Sequence, residues 1–235
     1  MKKFIFLIAA ATVTLHTSAS EYARHGLRGK VKSCSVTIYA VKGIPPEKDE
    51  PTGYLNDRLT FDEAGLLTGS ETFGRYGLQT GRKTVPEREN GKITSETHYD
   101  AYGDVISQWT YSYPSANVIK CDVINCVDNI RNYSHTITLR KGCIARADYH
   151  AGGFPYAAAD TATFQTYTYD RDGNVSKFEF FNKKEEIIGT TKFVYTQFDR
   201  TGNWTEHIVY LNGKPAIIAS REYRILLSRG CLLTA

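Results

Sequence analysis

Four copies of one short unit constrain this chain more than anything else in it. They read Phe61-Asp62-Glu63-Ala64-Gly65, Tyr99-Asp100-Ala101-Tyr102-Gly103, Tyr169-Asp170-Arg171-Asp172-Gly173 and Phe198-Asp199-Arg200-Thr201-Gly202. Each is an aromatic residue, an aspartate, two variable positions and a glycine. Apolar or β-branched residues resume at Leu66, Val105, Val175 and Trp204. An aromatic suits a half-buried pleated surface. The aspartate can bond its own backbone two residues on, and the glycine supplies the positive φ that turns the chain. The unit therefore reads as the end of a strand, a turn and the start of the next strand. Gly65, Gly103, Gly173 and Gly202 are expected at positive φ, where an added Cβ is unfavourable.

The stretches between the units alternate. Cys34, Val36, Ile38 and Ala40 fall on one face, with Ser33, Ser35, Thr37 and Tyr39 on the other. Trp109, Tyr111 and Tyr113 share a face, as do Tyr133, His135, Ile137 and Leu139. Such period-2 patterning is that of strands with one buried face. Further turn signals stand at Asn90-Gly91, Lys141-Gly142 and Asn212-Gly213, among others. Two irregular stretches interrupt the pattern, one over 43–57 and one over 151–162. With 16 Tyr and 11 Phe against one Met, and no long run of period 3.6, the chain is expected to be all-β. The expected fold is one antiparallel meander of successive hairpins over 21–235, a twisted sheet that can curl into a shell.

The first 20 residues read as a leader. Lys2 and Lys3 precede the apolar run Phe4 to Ala11, and small residues follow at Ser18, Ala19 and Ser20. That is a secretory signal peptide, with cleavage after Ala19 or Ser20. Its apolar core is too short to span a bilayer. No cysteine stands near the cleavage site to take a lipid. The expectation is an exported protein, periplasmic, cell-surface or extracellular, with no transmembrane segment. The formal net charge is +4, of which Lys2 and Lys3 supply two, and no basic block is present. This excludes nucleic acid as a partner class.

Five cysteines, Cys34, Cys121, Cys126, Cys143 and Cys231, follow the leader. An odd number leaves at least one thiol without an intramolecular partner. Cys121 and Cys126 on one strand would lie roughly 16 Å apart on opposite faces, too far to bridge. Cys34 and Cys231 could meet only if the two ends of the sheet came together. Mostly free thiols in an open sheet are therefore expected.

The aromatic-Asp-x-x-Gly units, with Leu27-Arg28-Gly29-Lys30-Val31-Lys32-Ser33 and the closing Gly202-Asn203-Trp204-Thr205-Glu206, resemble exported bacterial proteins with Rhs/YD-type repeats. The stretch from Glu89-Asn90-Gly91 to Trp109 is also similar to MORN-type repeats. The resemblance implies a twisted antiparallel sheet of hairpins, often curled into a spiral or shell. It supplies no catalytic residues.

The residues that could carry chemistry each have a plainer reading. Asp170, Asp172 and Asn174 alternate like calcium ligands, but Gly173 is fourth where an EF-hand loop needs glycine sixth, and Phe181 stands where the bidentate Glu belongs. His25, His98, His135, His150 and His207 accompany no recognisable nucleophile, and the cysteines show no zinc spacing. Glu185 and Glu186 sit beside Lys183 and Lys184 as a solvated turn would. No catalytic residue, metal or cofactor is assigned. The suggestive feature is aromatic: Trp109, Tyr111, Tyr113, Tyr167 and Tyr169 could form a platform for sugar rings or for a protein partner. The plainer reading is that these rings are core. The function expected is a non-enzymatic binding or scaffold role in the envelope or outside it. The alternative is an envelope-associated hydrolase with a cleft formed by the loops at 43–57 and 151–162.

Overall fold

The computed structural model describes residues 27–42, 47–48, 54–73, 82–127, 133–150 and 162–225. The leader, Cys231, and most of the two irregular stretches lie outside them. The first strands are β1 (Val31–Lys42), β2 (Glu47–Lys48), β3 (Tyr54–Phe61), β4 (Leu67–Thr72) and β5 (Arg82–Glu89). Next come β6 (Lys92–Tyr99), β7 (Val105–Ser115), β8 (Val118–Asn125), β9 (Tyr133–Arg140) and β10 (Cys143–His150). The last five are β11 (Phe164–Tyr169), β12 (Val175–Phe181), β13 (Ile187–Phe198), β14 (Trp204–Leu211) and β15 (Lys214–Ile225).

From β3 onward each strand pairs antiparallel with the next, and β3 pairs with β1. The meander then closes on itself: β15 lies against β1, from Val31 opposite Ile225 to Ala40 opposite Ile217. Fourteen strands form a ring, with β2 as a two-residue arm on the far end of β1. The open sheet expected from sequence is thus corrected to a barrel with a hydrogen-bonded seam.

The reason lies in the recurring unit. All four of its glycines have positive φ, at 82°, 92°, 84° and 83°. In the fourth copy the Asp199 side chain accepts the N–H groups of Thr201 and Asn203, both at 2.8 Å. Asp170 does the same for Asp172 and Asn174. Strand register also shifts immediately before each aromatic, at Thr60/Phe61, His98/Tyr99, Thr168/Tyr169 and Gln197/Phe198. Each unit is therefore a turn joined to a bulge. A bulge bends its strand and adds right-handed twist, and twist repeated around a meander curls it towards closure. A fifth copy hides in Phe181-Asn182-Lys183-Lys184-Glu185. Asn182 accepts the N–H groups of Lys184 and Glu186, Glu185 takes φ 60° in the glycine position, and register shifts at Phe180/Phe181.

The two ends of the barrel differ. Six connections at one end are short: 62–66, 90–91, 116–117, 141–142, 170–174 and 199–203. We call this the turn end. All the long connections, 43–53, 73–81, 126–132 and 151–163, join strands at the opposite, loop end.

The turn end is also where the chain enters. Leu27 is buried with Val31, Cys34, Leu59, Phe61 and Leu67 in an apolar floor. Asn203, 1% exposed, holds this entry segment down. Its side-chain oxygen accepts the Arg28 N–H at 2.5 Å, and its amide donates to the Arg28 carbonyl at 3.2 Å. The same amide bonds Asp199 and Thr201 within the turn. Asn174 makes the equivalent bond to Asp170, and of the two asparagines it is Asn203 that bonds the entry segment, whose Arg28 side chain also donates to the Asp172 carbonyl at 3.1 Å. Asn203→Ala should therefore cost about 2–3 kcal/mol, since it removes two bonds to the entry segment together with those inside the turn. Asn174→Ala should cost about 1 kcal/mol, as for one lost neutral hydrogen bond. Denaturant melts of the two variants check this; equal losses would mean that the latch contributes nothing.

Candidate functional site

The outer wall is polar at mid-strand. Lys120 and Asp122 on β8, Ser134, Thr136 and Thr138 on β9, Lys177 and Glu179 on β12, Lys192 on β13 and Arg58 on β3 alternate with buried or inward residues. In a lipid-facing band a mid-plane Lys or Arg costs about 2–4 kcal/mol. At these positions the wall is polar outward where a membrane barrel is apolar, and most rings face in; Ile124, on the face of Lys120 and Asp122, is exposed at 52%.

At about 4.8 Å between strands and a tilt of about 40°, fourteen strands would ring a space roughly 28 Å across if round. Eight strands already leave just enough room for side chains to fill. The lining agrees with a lumen that is not filled throughout, because inward rings such as Trp109, Tyr133, Phe178, Phe180, Phe193 and Tyr195 are only half-buried.

The five residues of the expected aromatic platform line this interior. Trp109, Tyr111 and Tyr113 alternate inward along β7, with Tyr111 5% exposed. Trp109, Tyr113 and Tyr167 pack against a cluster that includes Ile119, Ile137 and Leu139. Tyr169, past the register shift on β11, stands nearer the turn end, where burial first and the neighbouring Cys143 second push its hydroxyl above the ordinary 10.0. The rings do not form an open outer surface; they belong to a belt around the wall. His98 lies 4.8 Å from Trp109, and Trp109 lies 6.2 Å from Tyr133 and 5.8 Å from His135. Across the lumen wall, Phe178 meets Phe193 at 5.4 Å, and Phe193 meets His207 at 5.5 Å. His207 in turn lies 4.3 Å from Trp204, which carries the Arg221 guanidinium at 3.6 Å.

Polar groups are set into the belt. Glu96, 2% exposed, accepts the Tyr111 hydroxyl at 2.7 Å and lies 3.7 Å from Nε2 of His98. The Nδ1 of His98 stands 3.1 Å from the Thr84 hydroxyl. Tyr149 donates to Gln165 at 2.7 Å, and Gln165 bonds the Tyr167 hydroxyl. His135, opposite Cys121 in the register, is 3% exposed. Neither of its ring nitrogens has a hydrogen-bond partner among the described residues.

Electrostatics then limit the chemistry. Burial, with the Glu96 carboxylate nearby, pushes the Cys121 thiol far above its ordinary 9.0. A nucleophilic cysteine needs the opposite shift. Burial, aided by His150, lowers His135 from 6.5 to about 4, and burial with Arg221 lowers His207 to about 3. Both stay neutral and are weak bases near pH 7. Cys121 and His135 thus stand together without forming an activated pair. Among the described residues, no group of three or more His, Cys, Asp or Glu could hold a metal ion.

The sequence reading named His98 and His135 but missed Glu96. Parity from Ile93, which is buried, would send Glu96 outward; the register shift at Glu87/Arg88 on the facing strand marks where that parity breaks. Gln165, Phe178 and Phe193 carried no signal beyond alternation. The thiols of Cys34, Cys121, Cys126 and Cys143 are free, the first two buried and the others exposed.

No family model and no curated protein matches the chain. Among solved structures it is similar to a porin-like protein from Bacteroides vulgatus, with TM-score 0.49 and 13% identity over 85% of this chain and 100% of that one. It is also similar to a putative outer membrane lipoprotein-sorting protein domain from Vibrio parahaemolyticus (TM-score 0.35, 11% identity, 89% and 92% covered). A LolA superfamily protein from Nitrosomonas europaea follows at TM-score 0.33 and 8% identity, with 91% and 96% covered. None of these is described as an Rhs/YD- or MORN-repeat protein, and with no family match and a closed seam that resemblance is withdrawn. What it rested on is a bulged hairpin turn, which this barrel repeats wherever its wall must bend.

Proposed function

We propose that this is an exported, non-catalytic binding protein that takes its ligand into the barrel through the loop end. The observation that carries the reading is the inverted wall, polar outside and aromatic inside, with inward rings left half-exposed. A soluble container needs that distribution, and mouths of β-barrels are a preferred place for ligands. Export rests on the leader over 1–20, and one domain over 21–235 is supported by the succession of paired strands from Val31 to Ile225 among the described residues. Against the hydrolase alternative stand the protonated Cys121 and the weakly basic His135.

The protein has two tryptophans, so Trp204→Phe leaves Trp109 as the sole emitter. Acrylamide, a small neutral quencher, should then reach Trp109 from the lumen and lower its emission in proportion to concentration. An unquenched Trp109 in the folded variant would mean a filled interior and would overturn the reading.

A further inference from the structure

Glutamate stands at residue 185, where the other four copies of the aromatic turn carry glycine. Its φ is 60°, in the left-handed region that L side chains avoid, and Gly65, Gly103, Gly173 and Gly202 occupy the matching places. A residue held in that conformation against its preference points to a use for its side chain. Glu185 lines an open-sided cavity of about 320 Å³, together with Lys183, Arg146, Asp148, His150 and Phe164.

The cavity opens on the outer wall. Arg146, Asp148 and His150 alternate along β10 with Ala147, which is buried in the interior cluster. The register sets Phe164 opposite Asp148 and Phe181 opposite Phe164, with the two rings stacked at 4.6 Å. The Arg146 guanidinium lies 3.6 Å from the centre of the Phe164 ring. Asp148 holds it from the side, accepting from Nε at 2.8 Å and from Nη2 at 2.6 Å. Ring and carboxylate together fix the plane of the guanidinium. Its end-on edge, Nη1 with the second hydrogen of Nη2, bonds nothing among the described residues, and the side chain is 40% exposed. The side chains of Lys183 and Glu185 likewise have no hydrogen bond or ion pair among the described residues.

Two parallel N–H groups on a fixed plane match a carboxylate. The fixed charges of the cavity cancel, Arg146 and Lys183 against Asp148 and Glu185. A simple anion would meet Glu185, and a simple cation would meet Arg146 and Lys183. A ligand that bears both signs finds a complement for each. The volume is at the small end of ligand sites.

We propose that this outer cavity binds a free α-amino acid or short peptide, with its carboxylate on Arg146 and its ammonium on Glu185. The site is separate from the lumen and does not depend on a ligand there. The test is an NMR titration of the full chain that follows the Arg146 Nε–H and the backbone N–H of residue 185. The probes are the common L-amino acids, diglycine and dialanine. Their N-acetyl and C-amide forms, acetate, methylamine, inorganic phosphate and phosphoethanolamine serve for comparison.

At least one amino acid or dipeptide should bind at millimolar concentration or below, and removing either end charge should weaken binding at least tenfold. Arg146→Gln should weaken it as much. Glu185→Gly restores the residue that the other four turns use, so its Tm should be no lower than the parent's, yet it should bind at least tenfold more weakly. Amino-acid binding undiminished in Glu185→Gly or in Arg146→Gln would overturn the site. Acetate or phosphate binding as tightly as any amino acid would make this a site for anions only, and binding of phosphoethanolamine alone would make it a site for headgroups. Either result overturns the proposal, as does a chain that none of the probes shifts in the millimolar range.

Discussion

Ser35→Cys combined with Glu222→Cys should form a disulfide without reshaping the protein and stabilise it by roughly 3–5 kcal/mol, because it closes a loop of most of the chain. Ser35 and Glu222 are direct partners across the seam, on the outer face of β1 and β15. Directly opposed residues of an antiparallel pair have Cα atoms about 4.5–5.5 Å apart, within disulfide range. In an open sheet the same positions would sit at opposite edges, and no bridge could form. Non-reducing peptide mapping identifies the bridge, and denaturant unfolding with and without reductant measures its effect. A double variant that stays reduced under oxidising conditions in which surface thiols pair would mean that the seam is not closed in solution.

Acidification should be nearly as damaging. The folded protein holds His135 at about 4 against an ordinary 6.5, through burial first and His150 second. Between those two values the unfolded chain binds a proton that the folded one refuses, so stability falls as pH falls. The contribution is intact above pH 6.5, declines below it and is gone by about pH 4. At about 1.4 kcal/mol per pH unit, His135 alone accounts for a loss of about 3 kcal/mol. His207, held at about 3, extends the decline further. Urea melts at pH 7 and pH 4.5 give the slope, and His135→Phe should flatten it. Identical slopes in parent and variant would mean that His135 is not buried neutral.

The parts of this fold that are legible in the sequence are local ones. Asp199 and Gly202 act within a handful of residues, so the turn can be read from the unit alone. The alternation at Tyr133, His135, Ile137 and Leu139 likewise states which side chains share a face. Which face is enclosed is another matter. Closure is the sum of bulges, each one residue long and each invisible in a pattern that tolerates a skipped position. Glu96 is the clearest casualty: the register shift beside it reverses the parity expected from Ile93. The fifth turn was hidden by chemistry, since Asn182 replaces the aspartate and Glu185 takes a backbone conformation normally left to glycine. The aromatic residues were legible as a group, but whether they face water or one another depends on a seam between residues at opposite ends of the chain.

That seam also sets an order in time. β1 is the first strand made and β15 the last, so the pairing from Val31–Ile225 to Ala40–Ile217 joins the most distant parts of the wall. Contacts of such sequence separation carry a large loop-closure entropy and slow the folding of all-β chains. Until β15 arrives, the growing sheet presents two bare edges, each a template for pairing with another chain. The finished ring presents none. The molecule is therefore most exposed to aggregation one strand short of completion, and safest the moment that strand docks.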